Sequence, residues 1–275
     1  MGLQRFYKEG CGMHIPNSAK LRDFVVVENH QVANNLMRLV INCPDFAQEI
    51  RPGQFLGLKV PGDPTQLIRI PLSFSEADPE AGTIEIIYAT VGDATERMKA
   101  WEPGMSSSVV GCLGNGWQNL GCKKALLVAG GCGITPILGL ARWFGAQGIE
   151  FDVVSGAQSK DSLYGEKEFM QAGAGQVVMC TDDGSYGVSG FTTEGVRMLL
   201  QNNSYETIFT CGPNPMMAGI NRLAEDHDIE CEVSLERLMT CGFGACNTCN
   251  VLMRDGSYKA CCKQGPVFKG SDVAW

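Results

Sequence analysis

The stretch TCGFGACNTCNVLMRDGSYKACCKQGPVF, Thr240 to Phe268, gathers five of the chain's 13 cysteines within 22 residues. Cys241, Cys246 and Cys249 have the spacing C-x4-C-x2-C, the plant-type [2Fe-2S] ligand pattern that a later cysteine completes. Gly242, Gly244 and Ala245 are small, and only Phe243 is bulky among the residues inside the first loop. Glycine permits the positive-φ turns that bring backbone N–H groups round towards cluster sulfides. A structural zinc site is the competing reading, because Cys246-x2-Cys249 and a later cysteine pair resemble a zinc ribbon. That reading leaves Cys241 superfluous and needs the adjacent Cys261 and Cys262 to share one tetrahedral ion. Spacing therefore favours iron–sulfur, with one of the last two cysteines as the fourth ligand.

Such a tail is too small to bury a large core alone, and a metal would replace part of the missing hydrophobic stabilisation. The whole chain, 275 residues, leaves room for two or three compact units. The net charge of −8 repels polyanions, and no basic cluster offsets it, so nucleic acid is not an expected partner. No run approaches the ~20 apolar residues that span a bilayer, and the first 20 residues lack a signal-peptide core. The expected location is the cytoplasm, where 13 cysteines point to thiols and metal ligation rather than disulfides. Only His14, His30 and His227 are present, isolated from one another, and no acid–base pair or nucleophile–base arrangement stands out, so no catalytic residue is assigned.

From Leu21 to Gly116 short β-rich runs alternate with turn signals: DFVVVENH, LMRLVIN, GQFLGLKV, RIPLSF, TIEIIYATV and SSSVVGCLG. Six strands at this spacing predict a six-stranded antiparallel β-barrel over residues 21–118, interrupted by one helix near Ala94 to Ala100. Residues 1–20 read as an N-terminal extension. Over residues 119–228 the pattern becomes strand and helix in turn, with ALLVAGG, FDVVSGA, QVVMCTDD and TIFTCGP as continuous apolar strands. Runs buried on both faces predict a parallel sheet between helices, an α/β domain. Residues 229–275 form the small cysteine-rich domain.

In the α/β unit, AGGCGITPI follows a strand and opens a helix, so Gly130, Gly131 and Gly133 allow a phosphate to approach backbone N–H groups. CGPNPMM places Cys211, Gly212 and Pro213 at the end of the last buried strand, where ligands collect in open α/β sheets. Two glycine-bearing strand ends in one sheet point to a dinucleotide. The turn TDDGSYG lies at a third strand end.

Barrel, nucleotide unit and four-cysteine tail in this order resemble the ferredoxin-reductase superfamily, and more closely the electron-transfer subunits of NAD-dependent dihydroorotate dehydrogenases. The resemblance rests on PLS at Pro71 to Ser73, LGNGW, AGGCGITPI, TDDGSYG, CGPNPMM, SLERLMTCGFGACNTC and GPVF, from about Arg22 to Phe268. It implies an oxidoreductase subunit carrying FAD and a [2Fe-2S] cluster and using NAD(H). Electrons then pass to a flavin-containing catalytic subunit of pyrimidine biosynthesis, in a heteromer of which a heterotetramer is one form. By the match of Gly-Pro-Val-Phe, it also implies Cys262 as the fourth ligand.

For the flavin, the resemblance implies Arg69, Pro71, Leu72 and Ser73, then Ile87, Tyr88 and Ala89, then Gly92, Ala94 and Thr95. Here the chain departs from the family pattern. Ile70 and Ala89 stand where the family carries arginines, and Asp93 adds a negative charge beside them. Lost guanidiniums would weaken a phosphate clamp, with Arg69 or Arg97 as candidates to fill the gap. These departures keep two other readings open: the small subunit of an NAD(P)H–ferredoxin or sulfide-dehydrogenase-type complex, and a redox-silent, zinc-containing binding subunit.

Overall fold

The computed structural model describes residues 19–62 and 66–275. Apart from Ala19 and Lys20, the expected N-terminal extension lies outside them. The first sheet contains β1 Lys20–Ala33, β2 Leu36–Asn42, β3 Phe55–Leu58, β4 Ile70–Ser73, β5 Glu76–Asp78, β6 Thr83–Ala89 and β7 Ser106–Leu113. The short helices α1 Pro44–Glu49 and α2 Asp93–Met98 interrupt it. All neighbours are antiparallel in the order β4-β3-β7-β1-β2-β6-β5. The six expected strands are present, and the three-residue β5 makes a seventh. The sheet curls into a half-barrel with β4 and β5 as its edges.

Alternation on β6 shows how the half-barrel is used. Ile84, Ile86 and Tyr88 point into its interior with Phe24, Leu39, Ile41, Leu56 and Val109. Ile87 points the other way, into a core shared with the next unit. A strand buried on both faces at a domain junction reads as a largely apolar run, and in TIEIIYA only Thr83 and Glu85 break it.

That next unit contains β8 Lys124–Gly130, α3 Ile134–Gln147, β9 Glu150–Ala157, α4 Glu166–Gln171, β10 Val177–Thr181, β11 Val188–Ser189, α5 Thr192–Leu200, β12 Thr207–Cys211, α6 Asn214–Asp226 and β13 Glu230–Ser234. These strands are parallel in the order β11-β10-β9-β8-β12-β13, with helices on both faces. The tail adds β14 Asn250–Leu252, β15 Tyr258–Ala260, α7 Cys261–Gln264 and β16 Val267–Lys269. β16 pairs antiparallel with β13 and becomes the seventh strand of the sheet. Cys249, Val251, Met253, Cys262 and Phe268 share one core with Val128, Met217, Ile220 and Val233. The cysteine-rich segment therefore borrows the sheet's core instead of relying on a metal alone for its apolar burial.

The half-barrel and the parallel sheet are fastened through Glu85 on β6. Its carboxylate accepts from Arg142 Nη1 of α3 at 2.8 Å, Arg38 Nε at 2.6 Å and Ser75 Oγ at 2.8 Å, and is almost fully buried. Arg142 also donates to the Ser75 carbonyl at 3.0 Å, and Thr135 Oγ1 donates to the Ile87 carbonyl at 2.5 Å. Gly139 packs α3 so closely on the half-barrel that a Cβ there would lie 2.9 Å from the Phe74 carbonyl oxygen. Burial alone would raise the Glu85 pKa, but Arg142, Ser75 and Arg38 outweigh it and hold the carboxyl below its ordinary value.

The Arg142→Met variant leaves Glu85 with one cation in place of two. It is expected to lose about 2 kcal/mol of unfolding free energy in urea denaturation at neutral pH. Because the folded pKa of Glu85 is depressed, its contribution in the wild type is present above the ordinary value of 4.5 and lost as pH falls through the folded value. Glu85→Gln is expected to flatten that acid limb of the stability profile.

Candidate functional site

The loop between β13 and β14 turns three times through positive φ, at Gly242 (80°), Gly244 (89°) and Asn247 (58°). These turns bring N–H groups back on the sulfurs. Ala245 N–H donates to Cys241 Sγ at 3.3 Å, and Cys262 N–H donates to Cys249 Sγ at 3.4 Å. Thr248 Oγ1 donates to Cys246 Sγ at 3.2 Å, which with the Thr248 N–H and Cys241 pulls that thiol down to about 6. Burial, then Cys249 and Cys241, pushes Cys262 up to about 12. The four thiols thus sense one another across the loop. Cys261 is turned away, its Sγ donating to the Leu235 carbonyl at 3.5 Å. Among the described residues no three His, Cys, Asp or Glu side chains close on a single ion. Backbone amides donate to the sulfurs of Cys241 and Cys249, the kind of hydrogen bond that ligand sulfurs of an iron–sulfur cluster accept. Cys249 and Cys262 are buried on the side of the sheet, while Cys246 is exposed.

At the carboxyl ends of β8 and β12 the two glycine loops touch. Gly131–Gly133 form a 3-10 turn that leads into α3, with Gly131 at φ 55° and open space in front of it. A Cβ on Gly133 would stand 2.2 Å from the Cys211 carbonyl oxygen, and one on Gly130 would stand 3.2 Å from Pro213 Cδ. Gly212, at φ 157°, lies against Gly130. All six residues expected from these loops are brought together, with their backbone lining one crevice. The sequence reading does not single out Cys132 and Glu236: Cys132 Sγ donates to Glu236 Oε1 at 3.4 Å across the same edge. Their separation by 104 residues hides the pair from any local motif.

The expected flavin residues fall in several different surroundings. Ser73 ends β4, and Ile87 and Ala89 belong to the core between half-barrel and sheet. Tyr88, Leu72 and Ala94 pack on the half-barrel interior, and the Tyr88 hydroxyl donates to Asn29 Oδ1 at 3.2 Å. Pro71 faces Gly57 on β3. Thr95 Oγ1 receives the N–H groups of Val91 and Gly92 at 3.0 and 3.1 Å and caps α2. Neither candidate arginine fills the Ile70 position. Arg69 donates at 2.7 Å to the Ser108 carbonyl, which also accepts from Lys59 N–H at 2.9 Å, and at 3.0 Å to Ser108 Oγ, and so is held on β7. Arg97 pairs with Asp93 and donates to Gln66 Oε1 at 2.9 Å, which offsets the charge of Asp93.

Residues 236–274 match the family model of the iron-sulfur cluster binding domain of dihydroorotate dehydrogenase B, and residues 127–222 match that of the oxidoreductase NAD-binding domain. A Fusobacterium nucleatum protein named "Dihydroorotate dehydrogenase B (NAD(+)), electron transfer subunit" is 36% identical over 262 residues, covering 92% of this chain and 98% of the relative. The chain belongs to that family. A Methanocaldococcus jannaschii protein with the same name, qualified as probable, is also 36% identical, over 82% of this chain and 81% of its own. Among solved structures, an NADH-dependent reduced ferredoxin-NADP oxidoreductase described for flavin-based electron bifurcation superposes with a TM-score of 0.83 at 29% identity. That match covers 91% of this chain and 89% of the other. The family's arrangement of half-barrel, separate parallel sheet and cluster-binding segment is the one seen here.

The glycine crevice makes a paired expectation. Gly133→Ala drives a Cβ into backbone and is expected to lower the melting temperature by several degrees, because the strand–helix turn must shift. Gly131→Ala meets open space and pays only for its left-handed backbone, about 1 kcal/mol in denaturant unfolding.

Proposed function

We propose that this chain is the electron-transfer subunit of an NAD-dependent dihydroorotate dehydrogenase, joined in a heteromer to a flavin-containing catalytic subunit where the pyrimidine substrate is oxidised. The observation that carries the reading is the four-thiol loop, buried on the side of the nucleotide sheet and exposed at Cys246. In this reading Gly130, Gly131, Gly133, Cys211, Gly212 and Pro213 line the path of NAD(H). Ser73, Ile87 and Ala89 border the FAD, with the loop of Gly92 and Thr95 at its phosphate end. Cys241, Cys246, Cys249 and Cys262 hold the [2Fe-2S] cluster. The flavin, when bound, exchanges a hydride's electron pair for single electrons that the cluster can carry.

The chain's own residues bind, orient and exclude water. Thr135 and Arg142 lock the cleft at one width, and the amides of Ala245 and Cys262 offer hydrogen bonds to ligand sulfurs. This division of labour requires no acid–base side chain, and none was assigned. Leu238 and Phe243, in the same segment as the candidate thiols, stand exposed, apolar surface that a partner subunit would cover. A cytoplasmic location belongs to the same proposal. Among the described residues no helix is long and apolar enough to cross a membrane, and the twelve described cysteines form no disulfide.

A second reading has a specific observation behind it. The phosphate-end arginines of the family are replaced, Arg69 is tied to β7, and a ferredoxin-NADP oxidoreductase is similar along nearly the whole chain. Under that reading the same subunit serves a ferredoxin-linked complex. Native co-purification followed by mass spectrometry of the partner separates the two: a dihydroorotate dehydrogenase catalytic chain supports the first and its absence from the complex overturns it.

The ligand set has its own test. Cys262→Ser is expected to abolish most of the visible cluster absorption and the reduced-state EPR signal, whereas Cys261→Ser should retain both. Equal loss in the two variants, or zinc in place of iron in the wild type, would refute the assignment.

A further inference from the structure

The Cys246 sulfur differs from its neighbours in the donor it accepts. Cys241 and Cys249 take backbone N–H groups, from Ala245 at 3.3 Å and from Cys262 at 3.4 Å, which any residue type but proline would supply. Cys246 takes a side-chain hydroxyl, Thr248 Oγ1 at 3.2 Å, and so depends on the residue at that place. Asn247, at φ 58°, makes the left-handed turn between them that returns the hydroxyl to the sulfur. A second hydroxyl stands behind the first, with Thr240 Oγ1 donating to Thr248 Oγ1 at 3.2 Å.

The order of donation matters because a hydroxyl has one proton to give. Thr248 accepts from Thr240, which leaves its own proton for the sulfur, and the relay runs from Thr240 through Thr248 to Cys246. Both threonines are exposed, so packing does not demand this pair of hydroxyls. In the sequence, Thr248 is one of the two residues between Cys246 and Cys249, and Thr240 precedes the first cysteine of the loop. Nothing in the cysteine spacing connects them.

One-electron reduction of an iron–sulfur cluster adds a negative charge that the ligand sulfurs share, and hydrogen bonds to those sulfurs help to set its potential. A hydrogen bond strengthens as its acceptor becomes more negative, so a hydroxyl on Cys246 stabilises the reduced state more than the oxidised one. We infer that Thr248, its hydroxyl aimed by Thr240, is a positioning residue that acts through Cys246 to raise the reduction potential of the cluster. The inference rests on the reading of Cys241, Cys246, Cys249 and Cys262 as the cluster ligands. A raised potential makes acceptance of an electron from the flavin more favourable, and it is set at the exposed thiol of the four.

The midpoint potential of the cluster is measured on the intact complex by redox titration, followed through the reduced-state EPR signal. Thr248→Val keeps the branched shape and removes the hydroxyl. It is expected to lower the reduction equilibrium constant about fivefold, which is about 40 mV at 59 mV per tenfold for one electron. That is the scale of one hydrogen bond to a charged sulfur, discounted for exposure. Thr248→Ser restores the hydroxyl and should return the potential to near the wild-type value. Thr240→Val keeps the donor but loosens its aim, and should lower the constant about twofold. An unchanged potential in Thr248→Val, or a fall in Thr248→Ser as deep as in Thr248→Val, would overturn the inference. Should Thr248→Val hold no cluster, Thr240→Val decides, and an unchanged potential there overturns it. A wild-type complex without the reduced-state EPR signal would instead overturn the ligand reading beneath it, and the inference with it.

Discussion

A buried carboxylate on the half-barrel holds two guanidiniums, and the rest of the arrangement hangs on that junction. Glu85 loses hydration on burial and recovers it as charge-assisted hydrogen bonds from Arg38 and Arg142, one from each of the two large units. An apolar contact such as that around Ile87 gives attraction without direction. The carboxylate adds direction, because its oxygens accept from fixed sites on α3 and β2. With the Thr135 bond beside it, the contact sets the width of the cleft in which a flat cofactor would lie.

The tail depends on the same economy. Residues 236–274 look like an appendage in the sequence, yet β16 completes the parallel sheet and Val251, Met253 and Phe268 enter its core. A loop that has to hold four sulfurs in place gains from a rigid floor. The nucleotide sheet provides that floor directly, so the cluster segment, attached at β13, and the glycine loops, at the ends of β8 and β12, are carried by one sheet.

Much of this was legible from residue order. Alternation in LMRLVIN and the continuous runs of ALLVAGG and TIFTCGP mark strands in two different environments, and C-x4-C-x2-C marks the loop that carries the candidate thiols. The choice between Cys261 and Cys262 was not legible from spacing, because adjacent residues differ only in the direction α7 turns them; the family resemblance selected Cys262. The three-residue β5 lies below the length at which periodicity carries a signal, and β16 is a strand only because β13 offers it an open edge. The pairs Glu85–Arg142 and Cys132–Glu236 join positions far apart in the chain. Arg69 illustrates the opposite failure: its type suggested a phosphate clamp, but the carbonyl and hydroxyl of Ser108 on β7 hold it.

The uneven setting of the four thiols carries its own consequence. Cys249 and Cys262 lie in apolar surroundings against the sheet, while Cys246 meets water with its hydroxyl donor from Thr248. A centre held this way resembles a conductor with one insulated and one bare end. Were a cluster held by these thiols, its short approach from the surface would be at Cys246, while Cys249 and Cys262 would set packed protein on its other side.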